Sequence, residues 1–161
     1  MTTVWRLVKA GQAPTAFDGE GARKDGGRWN RKGIAVVYVS ESKALAALEV
    51  FVNTGDEGNH LKYVHIKAEI PDNIRIKIIQ EKDLPTDWKK YPAPKSTQDI
   101  GTQWVKNGSS AVLRVPSVLV PEEFNYLLNI SHPDFKKIKI EDSVPFRFDP
   151  RMWKKRQHGV K

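Results

Sequence analysis

The chain has 161 residues, of which 39% are hydrophobic and 29% are charged, and this composition is typical of one globular domain. It contains no cysteine, which excludes disulfides and thiolate metal sites. Its beginning lacks the apolar core of a secretory signal and its apolar runs are too short to cross a membrane, so a cytoplasmic protein is expected.

The formal net charge of +8 is concentrated at the end of the chain. Residues 151–161 contain five Lys or Arg and no acid, which leaves only +3 on residues 1–150. Basic terminal runs are usually solvated. We therefore predict one domain over 1–150 and a basic tail over 151–161. Because a basic tail can contact nucleic acid, a nucleic-acid-binding or nuclease function is an alternative interpretation.

The residue pattern in the first half of the chain predicts short strands, one long loop and one helix. Ser40 or Ser42 can cap this helix, which ends near Asn53. The segment 9–31 is polar and rich in glycine, and it is predicted to be a loop of a length that usually serves function. Apolar runs and alternating patterns predict strands over 3–7, 34–39, 64–70 and 74–78.

The second half predicts one more helix among further strands. Ser96 and Asp99 resemble a capping box, and Gly108 is a suitable left-handed stop for the helix they begin. Strands are predicted over 111–115, 118–120, 126–130, 137–140 and 145–148. Strands dominate and the helices are irregularly interspersed. The predicted fold class is therefore α+β, a single domain with mixed, mostly antiparallel sheets and a few helices.

Glu49 is the most unusual residue of the first helix. The spacing of Leu45, Leu48, Glu49 and Val52 places the carboxylate on the same face as apolar side chains. Because burying an unpaired carboxylate is costly, it needs hydrogen bonds, a cationic partner or a wet cleft. In the alternative interpretation, Glu49 lies at the edge of the apolar face and reaches solvent.

Arg28 and Tyr38 are candidates for ligand binding. Arg28 follows Gly26 and Gly27, and glycines let a backbone approach a ligand while a guanidinium fork matches phosphate. An ordinary surface turn explains the same residues. Tyr38, near the end of a predicted buried strand, offers a ring for stacking and a hydroxyl, or it packs in the core.

Ser117 and the histidines give weaker signals. Ser117 has no neighbouring base in sequence and no nucleophile-elbow motif around it. The four histidines lack the spacings of metal ligands, so no metal is expected.

Together these motifs resemble the RES domain over roughly residues 4–148. By motif position, the arginine, glutamate and serine that name this family correspond to Arg28, Glu49 and Ser117, with Tyr38 as a fourth pocket residue. Ile130 departs from the family, which often has proline there. Further matching positions are Arg6, Trp29, Asn30, Gly33, Val36, Val37, Ser40, Ala44, Leu48, Pro116, the run 125–129, His132 and Pro133.

The resemblance implies an ADP-ribosyltransferase-like fold and the toxin of a type II toxin–antitoxin pair. Such a toxin consumes NAD+ by cleaving the nicotinamide–ribose bond, as a glycohydrolase or a phosphorylase, or it transfers ADP-ribose to a host protein. NAD+ is then the substrate and no metal is needed. The implied catalytic residues are Glu49, Arg28 and Tyr38, and the implied substrate-binding residues are Arg28, Tyr38, Ser117 and Asn129.

The same resemblance implies a partner, a cognate antitoxin with a helix-turn-helix (Xre-like) domain that blocks the active site. The expected assembly is a hetero-oligomer with this antitoxin, and a homodimer of the toxin is the alternative. DNA would be contacted only indirectly, through the antitoxin, and no membrane is involved.

Overall fold

The computed structural model describes residues 1–55, 58 and 60–154. Its helices are α1 (Glu20–Asp25), α2 (Lys43–Val52) and α3 (Lys95–Asn107), accompanied by short 3-10 turns. Its strands are β1 (Thr2–Lys9), β2 (Val37–Ser40), β3 (Tyr63–Ile70), β4 (Ile76–Ile78), β5 (Val112–Pro116), β6 (Phe124–Leu128), β7 (Lys139–Ile140) and β8 (Val144–Phe146).

The strands form one eight-stranded sheet with the order β4-β5-β6-β2-β1-β3-β7, and β8 also pairs with β3. Only the β4–β5 pair is parallel among the described strands. The α+β prediction with mostly antiparallel pairing is therefore confirmed. In the described residues, no helix has both the length and the apolar content that crossing a bilayer requires.

The pairing of β1 differs strongly between its two sides. Its register with β3 extends from Thr2 opposite Ile70 to Lys9 opposite Tyr63. Toward β2, the register in the described chain consists of the single pair Trp5 and Ser40. The sheet is therefore weakly joined between β1 and β2, and this is where the cleft described below opens.

Apolar side chains pack on both faces of the sheet. Leu113 and Leu127 point to the face that is covered by α3, where Trp104 packs beside them. The indole Nε1 of Trp104 donates to Ser110 Oγ at 2.8 Å, so this buried donor is satisfied. Leu7 packs with Ala46 of α2 in another cluster. Because α2 lies against β1, the helix that carries Glu49 borders the weakly joined part of the sheet.

The helix α2 begins as predicted, but its buried face differs from the predicted one. Ser42 is the N-cap and its Oγ accepts from the Leu45 amide at 3.0 Å. Leu48 and Val52 are 39% and 57% exposed, so they are not part of the core. The apolar face is narrower than its spacing predicts because Ala46 and its neighbours, not Leu48, meet β1.

Three local predictions are wrong. The segment 9–31 is not all loop, because it contains α1, and just before this helix Asp18 Oδ1 accepts from the Glu20 amide at 2.9 Å. The second long helix begins at Lys95 without a side-chain cap, so Ser96 lies inside it. Residues 118–120 form no strand, because Ser117 Oγ accepts from the amides of Leu119 and Val120 and turns the chain.

The end of the described chain packs on the domain. Pro150–Trp153 forms a 3-10 turn, and the Trp153 ring lies 5.3 Å from the rings of Phe51 and Phe148. The hypothesis that the basic tail contacts nucleic acid depends largely on residues 155–161, which lie outside the described residues.

Gly101 allows α3 to approach the segment that carries Arg28. A Cβ at position 101 would collide with the carbonyl oxygen of Trp29, a backbone atom that cannot rotate away. We expect Gly101→Ala to lower the free energy of unfolding by about 1–3 kcal/mol, the usual cost of overpacking. Urea denaturation measures this loss. Gly11→Ala is the control because a Cβ there meets open space, and equal stability of the two variants would contradict the prediction.

Candidate active site

A cleft of about 1090 Å³ opens beside β1 and β2. The helix α2 forms one wall with Glu49, and the turn at Gly26–Arg28 forms another. Segments 89–93 and 118–119 complete the rim. Its volume is slightly above the range of about 300–1000 Å³ that is typical of small-molecule sites. The charged side chains lining it are those of Arg6, Asp25, Arg28, Glu49 and Lys89.

Glu49 is held by hydrogen bonds at the wall of this cleft. Its Oε1 accepts from Asn125 Nδ2 at 2.7 Å and, more weakly, from Ser117 Oγ at 3.5 Å. Burial raises the pKa of the Glu49 carboxyl above its usual value, while these two hydrogen bonds and the charge of Arg28 lower it. The carboxylate is thus oriented and partly desolvated, which are properties of functional carboxylates.

Asn125 and Ser40 connect Glu49 to the sheet, and neither is among the site residues that the sequence predicts. Asn125 Oδ1 accepts from Ser40 Oγ at 2.6 Å, and its amide nitrogen donates to Glu49. The two residues lie opposite each other in the register of β2 and β6. A polar residue in each of two apolar strands is the signal that could have indicated this pair.

Asn125→Ala is expected to raise the pKa of Glu49 further. The change removes a hydrogen bond that lowers this pKa, while the burial that raises it remains. Carboxyl ¹³C NMR of the side chain, followed as a function of pH, measures the shift. Asn53→Ala is the control, because the Asn53 side chain donates to the Glu49 main-chain carbonyl instead. An unchanged or lowered midpoint in Asn125→Ala would contradict this assignment.

Arg28 lines the same cleft. Its Nη1 donates to the carbonyls of Trp88 and Lys90 at 2.8 and 3.0 Å. Burial lowers the pKa of its guanidinium, and the nearby Glu49 charge raises it. No ion pair between Arg28 and Glu49 exists among the described residues. The two charges therefore do not neutralise each other by direct contact.

Tyr38 holds the turn that presents Arg28. Its hydroxyl accepts from the Trp29 amide at 3.0 Å and donates to Asn30 Oδ1 at 2.6 Å. Burial raises the pKa of this hydroxyl above its usual value. A Cβ at Gly27 would approach the Tyr38 hydroxyl to 2.7 Å, so glycine permits this contact. The only proton of the hydroxyl already serves Asn30, which favours a positioning role over acid–base chemistry.

Tyr38→Phe is expected to lower the free energy of unfolding by about 1–3 kcal/mol, because it leaves buried polar groups of Trp29 and Asn30 unpaired. Chemical denaturation measures this difference. The control is Tyr91→Phe, since the Tyr91 side chain is largely exposed. If Tyr38→Phe were as stable as the control, the hydroxyl would not hold the turn.

The structure places the other two predicted site residues, Ser117 and Asn129, in different surroundings. Ser117 follows β5, is buried and touches the cleft through Glu49. Asn129 is fully buried just after β6, where its Oδ1 accepts from the Ser131 amide at 3.0 Å. It does not line the cleft in the described part of the chain. Among the described residues, no three His, Asp or Glu side chains gather in an arrangement that could hold a metal ion.

Comparison with known proteins relates this cleft to a family. A family model described as the RES domain matches residues 3–149. The chain is 39% identical over 158 residues to a Sphingobium sp. (strain YBL2) protein named Prs ADP-ribosylating toxin, covering 96% of this chain and 98% of that protein. It is 40% identical over 150 residues to a Yersinia enterocolitica (serotype O:8 / biotype 1B) protein named Toxin Res, covering 92% and 98%.

A solved structure shares the fold. A chain from the crystal structure of the M. tuberculosis MbcT–MbcA toxin–antitoxin complex superposes with a TM-score of 0.75 at 17% identity, covering 94% of this chain and 86% of that chain. The family model and the relatives both extend over nearly the whole chain. The chain therefore belongs to the RES domain family.

Proposed function

We propose that this RES-domain protein is the toxin of a toxin–antitoxin pair and consumes NAD+ by breaking the nicotinamide–ribose bond. One observation carries the proposal. Glu49, oriented by Asn125, shares a cleft with Arg28, and the two opposite charges do not pair with each other. A ligand that offers a phosphate to one and a hydroxylated, cationic group to the other fits this arrangement, and NAD+ has both.

Glu49 supplies the chemistry at the ribose. Cleavage of the nicotinamide–ribose bond passes through an oxocarbenium-like state, as glycoside hydrolysis does. The carboxylate accepts hydrogen bonds from ribose hydroxyls and stabilises the positive charge that develops at the anomeric carbon. Nicotinamide departs as a neutral molecule, so the reaction requires no general acid at the leaving group. A single catalytic carboxylate is therefore sufficient.

Arg28 supplies orientation. Two carbonyls, those of Trp88 and Lys90, hold its Nη1, and its fork can donate to the oxygens of a pyrophosphate. The hydroxyl of Tyr38 keeps the turn in place. Fixing the pyrophosphate positions the scissile bond beside Glu49, and such positioning lowers the entropic part of the barrier.

The acceptor of ADP-ribose is water, phosphate or a protein. The similarity to a protein named Prs ADP-ribosylating toxin favours the last of these as the second candidate, mono-ADP-ribosylation of a host protein. Both functions use the same cleavage step at Glu49, and they differ only in the group that attacks the anomeric carbon.

The partner in this proposal is a cognate antitoxin with an Xre-like helix-turn-helix domain, and DNA is reached only through it. The shared fold with a chain of the MbcT–MbcA toxin–antitoxin complex supports an antitoxin protein as the partner. Co-expression with the protein encoded beside it, followed by size-exclusion chromatography, tests whether a hetero-oligomer forms.

Incubation of the purified protein with NAD+, followed by chromatography of nicotinamide, tests the proposed reaction. We expect release of nicotinamide, and added phosphate or a candidate acceptor protein separates the routes. ADP-ribose as product indicates hydrolysis, its 1″-phosphate indicates phosphorolysis, and a protein mass increase indicates transfer. Absence of nicotinamide release with every acceptor would overturn the proposal.

A further inference from the structure

Three aromatic side chains of the described chain line the cleft, those of Trp5, Tyr38 and Tyr91. The hydroxyl of Tyr38 is used within the turn that it holds. The ring of Trp5 lies under Lys43 Nζ and in T-shaped contact with His65. Tyr91 differs from both, because it is 87% exposed and forms no aromatic pair or cation–π contact in the described part of the chain. Both faces of its ring are therefore accessible to a ligand.

The backbone on both sides of Tyr91 is restricted, although the side chain is exposed. Directly before it, the Lys90 carbonyl accepts from Arg28 Nη1 at 3.0 Å. After it, Pro92 and Pro94 each fix one backbone angle, and α3 begins directly after Pro94. The ring is thus presented by a segment with few backbone conformations. Little entropy is lost when a ligand covers such a side chain, which favours binding.

The segment that carries Tyr91 is attached to the turn that carries Arg28. Arg28 holds its first part through the hydrogen bond to Lys90. Beyond it, Gln98 Nε2 of α3 donates to the Gly27 carbonyl of the same turn at 3.0 Å. Burial lowers the pKa of the Arg28 guanidinium, and an ionised Tyr91 is among the groups that raise it, so the Tyr91 hydroxyl lies near this charge. An accessible ring therefore stands beside the fork that is proposed to bind phosphate.

The chemistry of a dinucleotide indicates what such a ring would bind. NAD+ has one ribose and one base on each side of its pyrophosphate. In the proposed function, Glu49 binds the nicotinamide half and Arg28 binds the pyrophosphate, so the adenosine half extends beyond Arg28. The segment attached to Arg28 presents the ring of Tyr91 there. Aromatic side chains bind bases by stacking, because every base has a flat π face.

We propose that Tyr91 binds the adenine ring of the dinucleotide by stacking, beside the pyrophosphate that Arg28 holds. The inference deepens the proposed function and rests on it for the identity of the ligand. The contact requires the aromatic ring and not the hydroxyl group, because stacking uses the π face. Tyr91 therefore contributes affinity for the adenosine half and leaves the reacting bond to Glu49.

Isothermal titration with three probes tests the inference: ADP-ribose, inorganic pyrophosphate and nicotinamide mononucleotide, of which only ADP-ribose contains adenine. We expect Tyr91→Ala to weaken ADP-ribose binding by about fivefold or more, the usual effect of removing a ring on which a base stacks, and to change binding of the other two probes by less than about twofold. Tyr91→Phe keeps the ring without the hydroxyl and is expected to bind ADP-ribose as wild type does. Ile78→Ala is the control, because Ile78 is also exposed but lies outside the cleft.

Four results would overturn the inference. Equal weakening of all three probes in Tyr91→Ala would show that the residue only supports Arg28, and no weakening would show that the ring is not used. Weaker binding of nicotinamide mononucleotide with unchanged ADP-ribose binding would place the nicotinamide at this ring. A Tyr91→Phe variant as weak as Tyr91→Ala would assign the contact to the hydroxyl.

Failure of the proposed function has a different signature. Wild-type protein would then release no nicotinamide from NAD+, whereas ADP-ribose binding that depends on the Tyr91 ring would still support the contact with the base. Wild-type protein that did not bind ADP-ribose would contradict the base contact directly, whatever its activity on NAD+.

Discussion

Glu49→Gln is expected to reduce nicotinamide release from NAD+ by about 10²–10³-fold, the usual loss when one group that stabilises transition-state charge is removed. The amide has nearly the same volume and still accepts a hydrogen bond from Asn125, but it carries no negative charge to offset the oxocarbenium-like state. Steady-state kinetics on purified protein measures the loss. Glu141→Gln is the matched control, because Glu141 is also half-buried and lies outside the cleft.

Glu49→Gln is not expected to have a lower free energy of unfolding than wild type at neutral pH. Burial raises the pKa of Glu49 in the folded state, so the folded protein favours the protonated form more than the unfolded chain does. The stabilising contribution of this group is complete at low pH and is lost as pH rises through its folded pKa. The neutral amide of Glu49→Gln does not titrate, so the variant avoids that loss.

A Glu49→Gln variant that turns over NAD+ at the wild-type rate would show that Glu49 is not catalytic. Thermal unfolding of the same variant would show whether the fold is intact.

Arg28→Lys is expected to raise the KM for NAD+ by about tenfold or more, because an ammonium cannot reproduce the forked contact with phosphate. The substitution also removes the donor that holds the carbonyls of Trp88 and Lys90. Arg31→Lys is the control in the same kinetic assay. Arg31 pairs with Asp99 at the surface, where such pairs contribute little. Unchanged KM and kcat in Arg28→Lys would show that Arg28 does not bind the phosphates of NAD+.

Much of the candidate site could be predicted because its residues are close in sequence. Arg28, Tyr38 and Glu49 lie within 22 consecutive residues, and each has a chemical type that suits its position: a fork after glycines, a tyrosine in a strand, a carboxylate on a partly apolar helix. Tyr38 and Glu49 also belong to one local unit, because β2 ends at Ser40 and α2 begins at Lys43.

The partners of these residues could not be predicted in the same way. Asn125 meets Glu49 because β6 lies beside β2 in the sheet, although 76 positions separate the two residues in the chain. Arg6 reaches the cleft because β1 diverges from β2. Strand order is a property of the whole sheet, and alternation along one strand does not reveal which strand lies next to it.

Individual residue roles also depended on hydrogen bonds that only the three-dimensional structure shows. Tyr38 is a candidate for stacking by its type, whereas its hydroxyl holds Trp29 and Asn30. Asn129 is a candidate for substrate binding by resemblance, whereas its side chain closes a turn. In both cases the polar side-chain group forms hydrogen bonds with neighbouring residues of the protein. Buried polar groups need such partners, because leaving them without one is costly.

The sequence by itself determined the α+β class and most of the helices and strands, because periodicity and turn signals are short-range properties, and its motifs indicated the RES domain family. Only the tertiary structure decided that β1 and β2 diverge, that Asn125 orients Glu49, and that Arg6 faces the cleft. These features arise from strand order and from the hydrogen-bond needs of buried polar groups, which are satisfied by residues distant in the chain.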